Sequence, residues 1–272
     1  GAVTEEVYNR YAGEAYFCRA CKYAELIFFY GDVPYQEETI TISEALQRGR
    51  RPKAEVIPLV YADFDKAIAG LPESYGKDEN IHPTKGAALA MKARFALYMG
   101  DYEIAAQAAK ACMDLKLYSL EPDYAKLFKQ STKLNDEKVF VIPRSIENEV
   151  MLDSWIVKNG LPRNAGGYGS YNPSWDLLAS YLCTDGLPID ESPLFDPRKP
   201  FKNRDPRCTM TIVEFNTEHC GFEYDPSPAA KTVMNYTTGK TQSNQDTRIV
   251  NQYSSYTCLL YTSPSPRDYA AS

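Results

Sequence analysis

Residues 24–35 read AELIFFYGDVPY, and the fold turns on how that stretch ends. Upstream of it, apolar residues recur at helical spacing: Val7, Tyr11, Ala15, Phe17 with Cys18, Cys21, Ala24, then Ile27 with Phe28. That period predicts one long helix from about Glu5 to Tyr30 with a broad apolar stripe. Gly31 supplies a residue that tolerates a left-handed helix cap, and Pro34 keeps the helix from resuming. A greasy helix with so abrupt an exit needs neighbours close by, and the next segments offer them.

The run PKAEVIPLVYADFDKAIAGLP, residues 52–72, predicts a second helix. Pro52 suits a first turn, Val56, Leu59, Val60, Phe64, Ala67 and Ile68 form the stripe, and Gly70 with Pro72 ends it. Pro58 bends its early part or marks the true first turn. Residues 84–118, TKGAALAMKARFALYMGDYEIAAQAAKACMDLKLY, predict two more helices, capped at Thr84 and joined at Gly100-Asp101. This pair resembles a tetratricopeptide unit, with Ala93 and Ala105 at small-residue positions and Tyr102 at the aromatic position after the turn. Ala109 stands where that pattern has a larger residue. One such unit cannot bury its own face and needs the flanking helices.

Past residue 135 the texture changes. NDEKVFVIPRS carries a short strand-like run from Val139 to Ile142, and residues 159–272 are rich in Gly, Pro, Ser, Asn and Asp. One helical segment near Trp175 to Leu182 interrupts them. The fold expected is mainly α: a tetratricopeptide-like helical scaffold over 1–145, a loop-rich region bearing the ligand residues over 146–257, and a non-native disordered tail over 258–272. Cys258 to Ser272 breaks the preceding composition and resembles translated adaptor sequence. The chain opens inside a running helix pattern, so the natural N-terminus, with any targeting segment, is expected upstream of Gly1.

Composition narrows the function classes. At 44% hydrophobic and 24% charged residues, 272 residues build a globular core. A net charge of -6, a pI of about 5.2 and the lack of a sustained basic run argue against nucleic acid as a partner. No segment has the apolar length of a membrane span. There are 21 tyrosines beside two tryptophans, a supply of rings with an apolar face and a polar edge that suits wet ligands as well as helix packing. Cys18 and Cys21 form a lone C-x-x-C inside the helical pattern, read as small apolar residues on one face and not as a redox or zinc site. His82 and His219 stand far apart and make no metal motif, and no cofactor is expected.

The blocks EAYFCRACKYAELIFFYGDVPY, EVIPLVYADFDKAIAGLP, TKGAALAMKARFALYMGDYEIAAQAAKACMDLKLYSL, NDEKVFVI and YLCTDGLPIDES with RDPR follow one another in order. Together they resemble the SusD/RagB family of surface glycan-binding lipoproteins of Bacteroidetes, over most of residues 5 to about 215. The resemblance implies a SusD-like fold and an outer-membrane, surface-exposed, lipid-anchored protein. It would bind polysaccharide or oligosaccharide without catalysis and partner a SusC-like TonB-dependent transporter. The family's signal peptide, lipidated cysteine and first helical segment would precede Gly1, and its final helices are not found in the sequence.

A glycan platform pairs flat rings with amide or guanidinium groups. The densest such run is KNGLPRNAGGYGSYNPSWD, residues 158–176, which offers Tyr168, Tyr171 and Trp175 for stacking and Arg163 and Asn164 as donors. Trp175, at a helix start, reads first as a core anchor and second as a stacking ring, and Trp155 reads as packing. GGYGSY lacks the third glycine of a dinucleotide loop and the Lys-Ser/Thr of a P-loop. Asp185, Asp190 and Glu191 read as solvated turn acids in preference to a glycosidase pair or calcium ligands, and Arg204, Asp205 and Arg207 as a surface or structural ion pair. The competing readings are a tetratricopeptide-type adaptor that binds a protein partner and a helical glycoside hydrolase, for which no nucleophile-base spacing is found.

Overall fold

The structure, a computed structural model, describes residues 3–75, 82–129, 135–142, 158–171, 173–227 and 229–247. Trp155 and the 258–272 tail lie outside the described residues. The chain divides into two compact units, Gly1–Pro143 and Arg144–Ser272.

In the first unit, α1 spans Glu5–Tyr30, α2 Ile42–Gln47, α3 Lys53–Gly70, α4 Lys85–Met99 and α5 Tyr102–Asp114. The end of α1 explains the opening stretch. Gly31 takes φ 69° and returns its N–H to the Ile27 carbonyl. Asp32 Oδ1 then accepts from the Lys53 backbone N–H at 2.8 Å, capping the first turn of α3. Val33 pairs with Arg51 as an antiparallel bridge, and Val33 and Tyr35 both bury their side chains. So Gly-Asp-Val-Pro-Tyr stops one helix, starts another and contributes to the core between them. Sequence reasoning missed α2, although Thr41 and Glu44 form a complete capping box.

Two buried clusters hold the helices together. One joins Ala20, Ala24 and Ile27 of α1 to Val56, Val60 and Phe64 of α3 and Phe95 of α4. The other joins Phe17 to Ala67, Leu71, Ala87 and Ala88. The predicted stripe of α3 holds, and that of α1 holds in part, at Phe17, Ala24 and Ile27, but it was drawn too wide. Its seam is Gly13, Phe17, Ala20, Ala24 and Ile27, while Tyr11, Ala15, Cys18 and Phe28 face outward. The helix is apolar on several sides, so its period found the seam without fixing its edges. Cys18 is therefore exposed and not a core partner of Cys21, whose thiol is pushed up to about 12 by burial.

The phase is set by small residues. A Cβ on Gly70 would stand 2.5 Å from the Asn9 carbonyl oxygen and 3.4 Å from Gly13 Cα, so α1 and the end of α3 touch backbone to backbone. Gly70→Ala is expected to cost about 1–3 kcal/mol by forcing that crossing apart. A denaturation midpoint equal to the parent's would refute it. Gly100, at φ 83°, caps α4 with a left-handed turn, and the Tyr61 hydroxyl donates to Asp101 at 2.5 Å, tying α3 to the α4–α5 turn. The strand expected over Val139–Ile142 does not form. Phe140 instead sets its ring edge-on to Phe17, 5.2 Å between centroids.

The second unit carries two short helices, α6 (Trp175–Ser180) and α7 (Arg207–Thr211). Four strands follow: β1 (Thr217–His219), β2 (Phe222–Tyr224), β3 (Thr232–Asn235) and β4 (Lys240–Ser243), an antiparallel sheet in sequence order. The sheet was not anticipated, since its strands are three or four residues long and too short for a period. Its turn chemistry was readable: Cys220 (φ 53°) and Gly221 (φ 84°) make a two-residue hairpin between His219 and Phe222. Leu178, Phe201, Cys208 and Ile212 form a buried cluster in this unit, with Trp175, Tyr181 and Phe215 against it.

Candidate functional site

The glycine-rich stretch from 158 to 171 folds back on itself. Tyr168 N–H bonds the Lys158 carbonyl at 2.7 Å, Gly169 N–H that of Leu161 at 2.9 Å, and Ser170 and Tyr171 N–H that of Asn159. Gly166 and Gly169 take φ 83° and 57°, and a Cβ on Gly167 would run into the Leu161 carbonyl. The glycines therefore serve a tight backbone fold, the physical reason that this run is so poor in side chains.

The fold is pinned from one side by a buried clasp. Asn164 Nδ2 donates to Asn244 Oδ1 (2.9 Å) and Asp246 Oδ2 (2.6 Å), and its Oδ1 accepts from Gln245 N–H (2.9 Å). Asp246 Oδ1 accepts from Arg163 N–H at 2.6 Å, and Asn244 Nδ2 bonds the carbonyls of Asp225 and Ala230. All three side chains are buried, and burial pushes the Asp246 carboxyl above its ordinary value despite these donors. Asn164 thus has its amide committed to the protein, a correction to its reading as a ligand donor. Asn164→Ala is expected to lower the unit's stability by roughly 2–3 kcal/mol, because Asp246 loses a donor in a place water does not reach. Unchanged thermal unfolding would contradict this.

Trp175 opens α6 and is part-buried against the Leu178 cluster, which makes it a core anchor, the packing alternative at that position. Arg163 donates through Nε to the Tyr168 carbonyl at 3.1 Å. Tyr168 and Tyr171 are exposed at 42% and 62%. Only Tyr171 of the five edges a cleft of about 300 Å³, which it shares with Leu177 of α6, Ile212 and Val213 after α7, His219 of β1 and Tyr224 of β2. Sequence reasoning missed His219 and Tyr224 as site residues, because they reach the cleft through the unrecognised hairpin.

The other candidates resolve as structural. Asp185 accepts from Leu187 N–H and the Ser192 hydroxyl, a turn-closing role that holds its carboxyl below the ordinary range. Asp190 and Glu191 are exposed, and no metal-binding group of acids, cysteines and histidines occurs among the described residues. Asp205 pairs with Arg207 at 2.5 Å, and its carboxyl is lowered to about 2 mainly by hydrogen bonds from that guanidinium. Arg204 differs from the expected surface or structural ion pair: it is buried, bonding the carbonyls of Pro200, Leu178 and Tyr181 and lying over the Phe195 ring.

The described residues thus give a unit of paired helices and a loop-and-sheet unit with an aromatic-edged cleft. Two family models match this chain. One, SusD-like and described as starch-binding associating with outer membrane, covers residues 2–97, and the SusD family model covers residues 128–268, just over half of the chain. The chain belongs to the SusD family, whose members are binding proteins and not enzymes. A SusD-like carbohydrate binding protein from Bacteroides fragilis is similar with 30% identity and a TM-score of 0.76, over 83% of this chain and 44% of its own. A second SusD-like protein of that organism is 27% identical with a TM-score of 0.65, over 80% and 45%. SusD-like protein P2 of Formosa agariphila is 34% identical over 131 residues, 46% of this chain and 25% of that protein. The chain spans less than half the length of these solved relatives.

Proposed function

We propose that this protein is a surface glycan-binding protein of the outer membrane that captures polysaccharide or oligosaccharide for import through a SusC-like TonB-dependent transporter. A lipid anchor on a segment preceding Gly1 would hold it to the membrane. The observation that carries the reading is the match to the SusD family in both halves of the chain. Its similarity to a carbohydrate binding protein of known structure supports it. Tyr171 is the stacking ring at the cleft, and Tyr168 is a second platform on the same loop. Arg163, Asn164 and Trp175 support the loop and the helix that present them. The test uses the intact protein that contains this sequence, retarded on native gels cast with a broad set of polysaccharides and co-purified from membranes. Retardation by at least one glycan together with recovery of a TonB-dependent transporter is expected. No retardation and no transporter would overturn the reading.

A further inference from the structure

We infer that the cleft beside Tyr171 selects uncharged sugars: it takes one or two neutral pyranose or furanose rings, and excludes uronic, sialic and sulfated residues as well as amino sugars carrying a free ammonium. The inference rests on the glycan-binding reading above and adds the ligand's charge class. Among the described residues, no Lys, Arg, Asp or Glu side chain lines the cleft. Its polar side chains are Thr211, Tyr171, His219 and Tyr224, neutral hydroxyl and imidazole groups of the kind that bond sugar hydroxyls. Leu177, Ile212 and Val213 supply a surface for the C–H face of a ring. A carboxylate or sulfate brought here would lose water and gain no guanidinium or ammonium partner, and a free ammonium would find no carboxylate within the cleft. The adjoining hollow shares Thr211, Ile212, Val213 and His219 and adds Glu214 and Glu218, so the approach is acidic. With a net charge of -6 over the chain, acidic glycans are disfavoured a second time. At about 300 Å³ the cleft lies at the lower end of the roughly 300–1,000 Å³ typical of small-molecule sites. It therefore holds a short stretch of glycan and not an extended chain.

The experiment compares the intact protein with its Tyr171→Ala and Leu177→Arg variants on neutral, uronic, sulfated and amino-sugar glycans by titration calorimetry. Both substituted positions are exposed, so folding is expected to be retained and is checked by circular dichroism. Binding is expected for a neutral glycan alone, weakened about tenfold or more by Tyr171→Ala, since a central aromatic contact carries that much. Leu177→Arg should weaken it similarly by placing a charge against the ring face. Binding of an acidic or amino glycan that Tyr171→Ala abolishes would overturn the inference while leaving the glycan-binding function intact. Neutral binding untouched by both variants would overturn this cleft as the site. Binding of no glycan at all would overturn the proposed function and this inference with it.

Discussion

Replacing Arg19 by Ala is expected to lower the stability of the helical unit by about 3–5 kcal/mol, the usual cost of stranding a buried charge. Asp63 lies on the inward stripe of α3 and is 2% exposed. Arg19 reaches it from α1 with two parallel bonds, Nε to Oδ2 at 2.6 Å and Nη2 to Oδ1 at 2.7 Å, and uses Nη1 on the Glu37 carbonyl. The hydrogen bonds to Asp63 raise the Arg19 pKa further above its already high value, so the guanidinium stays charged at any working pH. Lys66 is the other nearby cation, but its Nζ stands 4.0 Å away on a half-exposed side chain. It cannot replace a bidentate partner. Arg19→Lys should recover only part of the loss. Chemical denaturation followed by far-UV circular dichroism checks this, and a loss below about 1 kcal/mol would show the pair to behave as a surface ion pair.

Phe64→Ala is expected to cost a similar amount, about 3–5 kcal/mol, for a different reason. Phe64 is wholly buried where α1, α3 and α4 meet, its ring 6.4 Å from that of Phe95. Truncation removes the transfer energy of the ring and leaves a cavity that three helices cannot close. Phe64→Leu should cost less than about 1.5 kcal/mol, since it keeps most of the volume. Phe29, equally hydrophobic in sequence, is 67% exposed, and Phe29→Ala should change stability by no more than about 0.5 kcal/mol. Comparable losses at Phe29 and Phe64 would show that the α1 seam is misplaced.

Arg19, Asp63, Phe64 and Phe29 show where sequence reasoning stops. The helices were legible because their signals are local: Thr84 and Gly100 at the ends of α4, Pro52 before α3, and an apolar period along each. The edges of the α1 seam were not, because Phe28, Phe29 and Tyr30 read as strongly apolar as Phe17 and Ile27 yet are exposed. The buried face was chosen by Gly13 and Gly70, which let two backbones touch. Asp63 likewise looks like a polar interruption of a stripe until Arg19, 44 residues away, meets it.

The candidate site divides in the same way. The aromatic, glycine-rich run at 158–176 could be singled out from residue types alone, because stacking rings and amides are what a sugar requires. Whether each side chain faces ligand or protein depends on partners distant in sequence. Asn164 is drawn inward by Asn244 and Asp246, some 80 residues later, and Trp175 by the Leu178 cluster. His219 and Tyr224 reach the cleft through a hairpin only two residues wide at its turn. Sequence by itself determined the four long helices and most of their ends, the charge balance and the family blocks, since these depend on neighbours within one or two turns. Only the tertiary structure decided which apolar face is buried, which polar groups are consumed in holding loops, and which remain at the cleft, because burial and hydrogen bonding are settled by residues the chain brings together from far apart.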